Sequence, residues 1–328
     1  MLKQFATVVV SLVLSVSLTA CATSKGASPQ EPGVEQALDE PVTFTNCGEQ
    51  LTFNSAPQRI ITMNDHVTEV LLELGLGDRI VGMGYGKAEP RPDLAEQWAQ
   101  IPSLADEYPS MEQILDANPD LVVGGMASAF NEKEGRSREA FAEHGIPTFL
   151  FTEYCSEESF SLDALSTDYT QLGQATGTED AAAGLVEQVT SDLDEISDAV
   201  AEDDPIPTFL YDSGDAEPLT VGGVGVGNLI VENAGGTNLF ADRERPYTQT
   251  SWEQVAERAP EAIIVLDYGD RTAEQKIQFL TEHPLMKTTP AVKKGRFVVV
   301  PLDDFFESPR LVDSTRTIAR ALHPNAEI

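Results

Sequence analysis

The chain has 328 residues, enough for two domains of ordinary size, and 41% of them are apolar, so it can bury hydrophobic cores. Its 21 Lys and Arg residues stand against 54 Asp and Glu residues, which gives a formal net charge of −33. A surface this acidic repels nucleic acids and anionic lipid headgroups, which makes both poor direct partners, and it is compatible with a salty habitat.

The first 20 residues are predicted to be a signal peptide. Lys3 supplies the positive charge at its start, and residues 5–18 form an uncharged apolar run too short for an ordinary membrane span. The segment ends in Leu-Thr-Ala-Cys at residues 18–21, which resembles the lipobox of bacterial lipoproteins. Cys21 would then be diacylated after cleavage, and the protein would be extracytoplasmic and anchored to the cell membrane. The alternative is an ordinary secretory signal that leaves Cys21 free.

Residues 21–41 are rich in Ala, Ser, Pro, Gly and Glu, and they are predicted to be a flexible, lipidated tether. Export places the chain in an oxidising compartment. Once Cys21 is lipidated, Cys47 and Cys155 remain, and an even number of cysteines favours one disulfide. The alternative is a pair of buried free thiols.

The folded part alternates short apolar runs with helical patterns. Strands are predicted at residues 59–62, 80–81, 120–123 and 147–151, and helices at residues 68–76, 111–117 and 138–144. Such alternation is typical of an α/β fold with mainly parallel sheets.

An internal repeat indicates two lobes of the same topology. Ser-Met-Glu-Gln-Ile at residues 110–114 is followed by Pro-Asp-Leu-Val-Val, and Ser-Trp-Glu-Gln-Val at residues 251–255 is followed by Pro-Glu-Ala-Ile-Ile, 141 positions later. A weaker echo pairs residues 71–75 with residues 230–235, in the same order. We therefore predict an N-terminal lobe over residues 42–178 and a C-terminal lobe over residues 203–328.

One long helix is predicted between the lobes, over residues 179–202. Its apolar residues recur at helical spacing, and it contains no proline and a single glycine, Gly184. At 1.5 Å per residue it would reach roughly 36 Å. A rod of this kind predicts a stiff pair of lobes with little closure.

Two serines mark matched helix starts. Ser110 and Ser251 are predicted N-caps, each completed as a capping box by a glutamine three residues later. Glu112 and Glu253 then lie in the first helical turn, where the helix dipole favours a carboxylate. On another interpretation, these acids dock on paired arginines of a two-subunit partner.

Several segments together resemble the substrate-binding proteins of ATP-driven importers for siderophores, haem and vitamin B12. The resemblance covers roughly residues 42–324, and it is carried by residues 59–61, 69–75, 78–82, 119–123, 145–147, 234–238 and 291–296. It implies a class III periplasmic-binding fold, with two Rossmann-like lobes joined by one long helix. It also implies a permease dimer with ATPase subunits as the partner, and Glu112 and Glu253 as the permease-docking residues.

Ligands of open α/β sheets bind beyond the carboxyl ends of the strands, and aromatic residues in these loops could surround a bulky chelate. Each aromatic residue could equally belong to the core. The predicted ligand-binding residues are Asn64, His66, Tyr85, Tyr154, Tyr211, Tyr247, Trp252, Tyr268, Phe306 and Arg310.

The expected ligand is a ferric siderophore, with no cofactor and no resident metal ion. The excess of acids favours a neutral or cationic chelate, such as a hydroxamate, over a trianionic one. Cobalamin and haem stay open, with haem ligation by a tyrosine or by His66. An exported enzyme is the less favoured alternative, because the sequence has no G-x-G-x-x-G, Walker A or G-x-S-x-G pattern.

Overall fold

Residues 36–155 and 160–328 are described by the computed structural model of this protein. The predicted signal peptide, residues 1–20, and the predicted lipidation site, Cys21, lie outside these described residues. Glu35–Ile328 packs into one unit. No helix within the two described ranges has both the length and the apolar composition that a membrane crossing requires.

An antiparallel hairpin opens the described chain, formed by β1 (Gln36–Asn46) and β2 (Glu49–Ala56). Cys47 and Gly48 form its two-residue turn, and both have positive φ angles, 50° and 80°, as a type I′ turn requires. The predicted tether over residues 21–41 therefore extends too far, since its last six residues lie in β1. Pairing with β2 outweighs the tether-like composition of this stretch.

The N-terminal half places strands and helices alternately along the chain. Its strands are β3 (Ile60–Thr62), β4 (Ile80–Gly84), β5 (Ser103–Ala105), β6 (Leu121–Gly124) and β7 (Thr148–Leu150). Its helices are α1 (Asp65–Glu73), α2 (Ala95–Trp98), α3 (Met111–Asp116), α4 (Arg138–Glu143) and α5 (Leu162–Thr176). The strands pair in parallel in the order β5-β4-β3-β6-β7.

Helix α6 (Glu179–Val200) joins the two halves. Its 22 residues span about 33 Å, and its buried stripe includes Leu185, Val189, Leu193 and Ile196. The helix ends two residues before the predicted boundary and packs against α5 on the N-terminal side.

The C-terminal half follows the same alternation. Its strands are β8 (Ile206–Tyr211), β9 (Leu219–Val221), β10 (Gly236–Asn238), β11 (Tyr247–Gln249), β12 (Ala262–Asp267) and β13 (Phe297–Pro301). Its helices are α7 (Val226–Asn233), α8 (Trp252–Glu257), α9 (Ala273–Glu282), α10 (Pro290–Lys294) and α11 (Leu311–Leu322). Four strands pair in parallel in the order β10-β8-β12-β13, and β9 and β11 form a separate antiparallel pair.

The two parallel sheets repeat one connection pattern. In each sheet the strand that comes first in the chain, β3 or β8, is an interior strand. The next strand of that sheet, β4 or β10, pairs on one side of it, and the strand after the repeated helix, β6 or β12, pairs on the other. Thus β3, β4, β6 and β7 correspond to β8, β10, β12 and β13, while β5 extends the first sheet alone. The predicted α/β fold, with two Rossmann-like, mainly parallel sheets and one long connecting helix, is confirmed.

The repeat extends to backbone conformation. Asn118 and Ala259 lie 141 residues apart, after α3 and α8, and each is followed by a proline. Their φ angles are 47° and 51°, in the left-handed region that most residues avoid. The same turn therefore ends both repeated helices.

One hydrophobic core is shared by both halves. The largest cluster of buried apolar side chains includes Ile60 of the first sheet, Leu193 of α6 and Leu210 of the second sheet. α6 also packs against α7 and α11 on the C-terminal side. The buried core therefore continues from one sheet to the other.

Candidate ligand-binding site

A cavity of about 430 Å³ lies between the two halves. From the N-terminal half it is lined by Asn64, Asp65, His66, Glu69, Tyr85, Lys87, Ala88 and Met126. From the C-terminal half it is lined by Tyr268, Gly269, Leu302, Asp303, Phe306 and Arg310. These residues follow β3, β4, β6, β12 and β13, at the carboxyl ends of the strands, where open α/β sheets bind ligands.

Asn64 holds two of the loops together. Its side chain is buried, and its Oδ1 accepts a hydrogen bond of 2.9 Å from the backbone N–H of Gly125, in the loop after β6. Its Nδ2 donates to the hydroxyl of Tyr108 at 3.0 Å. Gly125 has no room for a side chain, because a Cβ there would lie 1.9 Å from Nε2 of His66. Asn64 therefore positions the wall of the cavity.

Tyr85 has a backbone conformation that is unusual for a tyrosine. Its φ angle is 57°, and its N–H donates to the carbonyl of Glu107 at 2.9 Å. Its ring lies 5.0 Å from the ring of Tyr108, and Lys87 Nζ lies 5.0 Å from its centroid. Non-glycine residues with positive φ concentrate at binding sites, where the surrounding structure sustains the strain.

A stacked pair of rings connects the halves. The rings of His66 and Phe306 lie 4.8 Å apart between centroids, with an angle of 19° between their planes. His66 is 4% exposed, and burial lowers the pKa of its imidazole to about 4. The ring is therefore uncharged at neutral pH.

An ion pair also crosses between the halves. Arg310 Nε donates to Oε2 of Glu69 at 2.6 Å, and its Nη2 donates to Oε1 at 2.6 Å. Glu69 was not predicted as a site residue, and 241 positions separate it from Arg310. The sequence feature that could have identified Glu69 is an acidic residue on the apolar, buried face of α1, among Val67, Val70 and Leu71. A buried carboxylate needs partners, and Arg310 is the charged one, while the backbone N–H of Arg91 donates to Oε1 at 3.2 Å.

Acidic groups outnumber basic groups in the cavity lining. It carries Asp65, Glu69 and Asp303 against Lys87 and Arg310. Burial raises the pKa of Asp65 to about 6, although the backbone N–H of Ala88 donates to its carboxylate. Burial likewise raises the pKa of Asp303. The cavity therefore disfavours an additional negative charge.

Six of the ten residues predicted to bind ligand lie together in the cavity lining: Asn64, His66, Tyr85, Tyr268, Phe306 and Arg310. Tyr154 and Tyr247 are not among its lining residues. Tyr211 and Trp252 belong instead to the hydrophobic core beside the second sheet, with ring centroids 5.6 Å apart. Trp252 Nε1 donates to the carbonyl of Asp215 at 2.7 Å, so its polar edge is satisfied within the protein. Both rings pack in that core, and Tyr211 also lines a second pocket together with Tyr268.

The predicted docking acids lie at matched helix starts. Glu112 and Glu253 are exposed, each two residues after its N-cap serine, Ser110 or Ser251. The capping box is complete in α3. In α8, the oxygen of the Gln254 side chain accepts from Arg243 at 2.8 Å, so the predicted second capping box is wrong.

A disulfide joins Cys47 in the hairpin turn to Cys155, which follows β7, and their Cα atoms are 5.3 Å apart. Within residues 36–155 and 160–328, no group of three or more His, Cys, Asp or Glu side chains is arranged to hold a metal ion.

Comparison with curated proteins gives relatives over nearly the whole chain. A cobalamin-binding protein of Halobacterium salinarum is 27% identical over 328 residues, covering 98% of this chain and 85% of that protein. An uncharacterized ABC transporter substrate-binding lipoprotein of Bacillus subtilis, YvrC, is 25% identical over 325 residues, covering 96% of this chain and 95% of that protein.

Solved structures share the fold. A periplasmic binding protein from Veillonella parvula superposes with a TM-score of 0.79 at 25% identity, covering 87% of this chain and 98% of that one. An ABC-type Fe3+-hydroxamate transport system structure from Saccharomonospora viridis gives 0.73 at 23% identity, with coverages of 86% and 99%. Residues 60–303 match the family model described as periplasmic binding protein, so this chain belongs to the periplasmic binding protein family.

Proposed function

We propose that this protein is the extracytoplasmic substrate-binding component of an ABC importer, and that it holds a bulky metal chelate without net negative charge. The observation that carries the proposal is the cavity itself. It lies at the carboxyl ends of two repeated sheets, it has aromatic walls, and the one arginine among its described lining residues is already paired with an acid. The partners would be a permease dimer and its ATPase subunits, with attachment to the membrane through a lipid on Cys21.

A corrinoid is the first candidate ligand. The relative from Halobacterium salinarum, which aligns with 98% of this chain, is named as cobalamin-binding. Cyanocobalamin carries no net charge and is surrounded by amide groups, which suits a cavity where acids outnumber bases. Tyr268 is 37% exposed, so its ring is available to a large ligand.

A ferric siderophore, the ligand expected from the sequence, is the second candidate. A ferric trihydroxamate is uncharged, so the same charge argument supports it. Haem carries two carboxylates that would meet Asp65 and Asp303, although the neutral imidazole of His66 offers a ligand for iron. The charge of the cavity therefore ranks haem third.

The cavity volume indicates how such a ligand is held. About 430 Å³ lies in the lower half of the range of roughly 300–1,000 Å³ that small-molecule sites occupy. A chelate of corrin size is larger than this, so we expect one part of it to lie inside the cavity and the rest to lie at the cavity mouth. Binding of this kind needs no catalytic step.

Ligand titration of the full lipoprotein in detergent tests the proposal. Cyanocobalamin, a ferric trihydroxamate and haemin are each titrated, with intrinsic fluorescence quenching and calorimetry as readouts. We expect a Kd in the micromolar range or tighter for cyanocobalamin or the trihydroxamate. Tyr268→Ala should weaken that binding about two- to tenfold, since an aromatic contact contributes about 0.5–1.5 kcal/mol.

Val299→Ala is the matched control, because Val299 is an exposed apolar residue of β13 and is not among the cavity-lining residues. It should leave the affinity unchanged. Absence of binding to all three chelates would contradict the proposal, and so would turnover of NADH or of an ester, which would indicate an exported enzyme.

A further inference from the structure

Arg310 has almost no free hydrogen-bonding capacity. Besides its two bonds to Glu69, its Nη2 donates to the carbonyl of Glu89 at 2.6 Å, and its Nη1 donates to Asp304 at 3.2 Å. A guanidinium has five N–H donors, so four are in use. Arg310 is the one arginine among the cavity-lining residues that the structure describes.

The pair with Glu69 is made through two hydrogen bonds and is largely shielded from water. Glu69 is 2% exposed, and the Arg310 side chain is 12% exposed. Both residues line the cavity. Two parallel N–H···O bonds are the arrangement with which arginine binds carboxylates, including those of ligands. Glu69 thus occupies the position that an acidic group of a ligand would take.

We infer that Glu69 determines the charge selectivity of this site, as a built-in counter-ion that excludes chelates with acidic groups and admits uncharged ones. The inference rests on the proposed function. A ligand carboxylate can reach Arg310 only by displacing Glu69, which would leave Glu69 buried without its charged partner, with the backbone N–H of Arg91 as its remaining donor and with Asp303 and Asp304 nearby. A buried charge without a partner is strongly unfavourable. An uncharged chelate leaves the pair intact.

Two forms of one chelate test the inference on the unchanged protein. The probes are cyanocobalamin and a derivative in which one side-chain amide is hydrolysed to a carboxylate. If the trihydroxamate is the chelate that binds, the probes are that chelate and a derivative with one added carboxylate. The wild-type protein should bind the uncharged form at least tenfold more tightly. Equal affinity would overturn the inference, whatever any variant does.

Glu69→Gln tests the residue. It keeps the shape of the side chain and removes the charge, while Arg310 retains Asp304 and the Glu89 carbonyl. The preference for the uncharged form should fall to less than threefold, through tighter binding of the carboxylate. An unchanged preference in a folded Glu69→Gln protein would overturn the inference.

Glu89→Gln is the matched control. It removes the same charge from a neighbouring position, but only the backbone carbonyl of Glu89 contacts Arg310. The Glu89→Gln protein should retain the tenfold preference. Loss of the preference in this variant would show that overall charge, rather than the pair of Glu69 with Arg310, sets the selectivity. If the wild-type protein binds the uncharged and the carboxylate form equally, only the inference is contradicted. If it binds no chelate, the proposed function is contradicted.

Discussion

At the scale of single residues, three acidic side chains are buried close to one another. Glu153 is 5% exposed, Asp168 is 1% exposed and Glu307 is 1% exposed. Glu153 accepts a hydrogen bond of 3.0 Å from the N–H of Val226, at the start of α7, and Asp168 accepts bonds from the N–H and hydroxyl of Thr152. Burial raises the pKa of Glu153 to about 7 and that of Asp168 to about 6. Burial, together with the charge of Asp168, raises the pKa of Glu307 well above its usual value.

These acids should make the protein less stable as pH rises towards neutrality. Their ordinary pKa values are about 3.9 for Asp and 4.3 for Glu, so between about pH 4 and 7 the folded state binds more protons than the unfolded state. The free energy of unfolding should therefore fall through this window. Glu307→Gln should flatten the dependence and raise the free energy of unfolding at pH 7.5, because an amide cannot ionise as the pH rises. Chemical denaturation at pH 5.0 and 7.5 measures both effects.

Glu202→Gln supplies the comparison, because Glu202 is exposed beyond the end of α6 and should leave the pH dependence unchanged. Glu153, Asp168 and the buried Tyr154 and Tyr169 are the titratable groups around Glu307, and they remain in both variants. A Glu307→Gln protein whose stability still falls as steeply between these pH values would show that other groups titrate there.

Single residues were the hardest part to predict from sequence. Arg310 was placed correctly beside the cavity, but its partner Glu69 lies 241 positions away, and no local pattern connects them. Tyr211 and Trp252 follow the same pattern as the cavity aromatics, since they lie at the end of a strand and the start of a helix. Whether such a ring points inwards or outwards depends on tertiary packing, which local sequence does not encode.

At the scale of elements, α3 and α8 begin at equivalent positions relative to their own sheets. Each helix leads into the repeated strand of its sheet, β6 or β12, and a crossover helix runs antiparallel to the strands that it connects. Both helix starts therefore lie towards the carboxyl edge of a sheet, as the cavity does. Glu112 and Glu253 are exposed there, which supports the proposal that they dock on the permease.

Replacing both acids should separate binding from delivery. Glu112→Ala combined with Glu253→Ala should leave chelate affinity within twofold and abolish uptake in cells, because neither side chain lines the cavity. Titration and labelled-chelate uptake measure the two quantities.

Glu139→Ala combined with Glu274→Ala is the matched control. These two exposed acids also lie two residues after an N-cap, in α4 and α9, the helices that follow β6 and β12. Uptake should persist in this control. Loss of chelate affinity in the Glu112→Ala, Glu253→Ala variant would mean that these acids belong to the ligand site rather than to a docking surface.

Elements with strong local signals were predictable. The 141-residue offset identified α3 with β6 and α8 with β12, and the unbroken apolar stripe identified α6. Strands β1 and β2 were not predicted, and the first residues of β1 were assigned to the tether, because they gain their conformation from pairing with β2 rather than from their own composition. Gln254 was misassigned because Arg243, eleven positions earlier, competes for its side chain.

At the scale of the whole molecule, the disulfide ties distant parts of the chain together. Cys47 and Cys155 are separated by 108 positions, so the bond closes a loop that contains the whole first sheet. Closing a loop of this size removes much of the freedom of the unfolded chain, and by the loop-entropy relation it contributes about 4–5 kcal/mol.

Cys47→Ser combined with Cys155→Ser should lower the free energy of unfolding by about 2–5 kcal/mol. Chelate affinity should persist, since neither cysteine lines the cavity. Adding reductant to the wild-type protein should reproduce the loss, and reductant should have no effect on the double variant. Equal melting temperatures with and without reductant would indicate that the disulfide contributes little.

The turns at Asn118 and Ala259 carry a further consequence. Asparagine tolerates a left-handed backbone, whereas alanine adopts it at a cost of roughly 1–2 kcal/mol. The same conformation is present with two different side chains, so it is set by the fold around the turn rather than by the residue type. Backbone torsion angles can thus reveal the correspondence of the two halves at positions where the amino acids themselves differ.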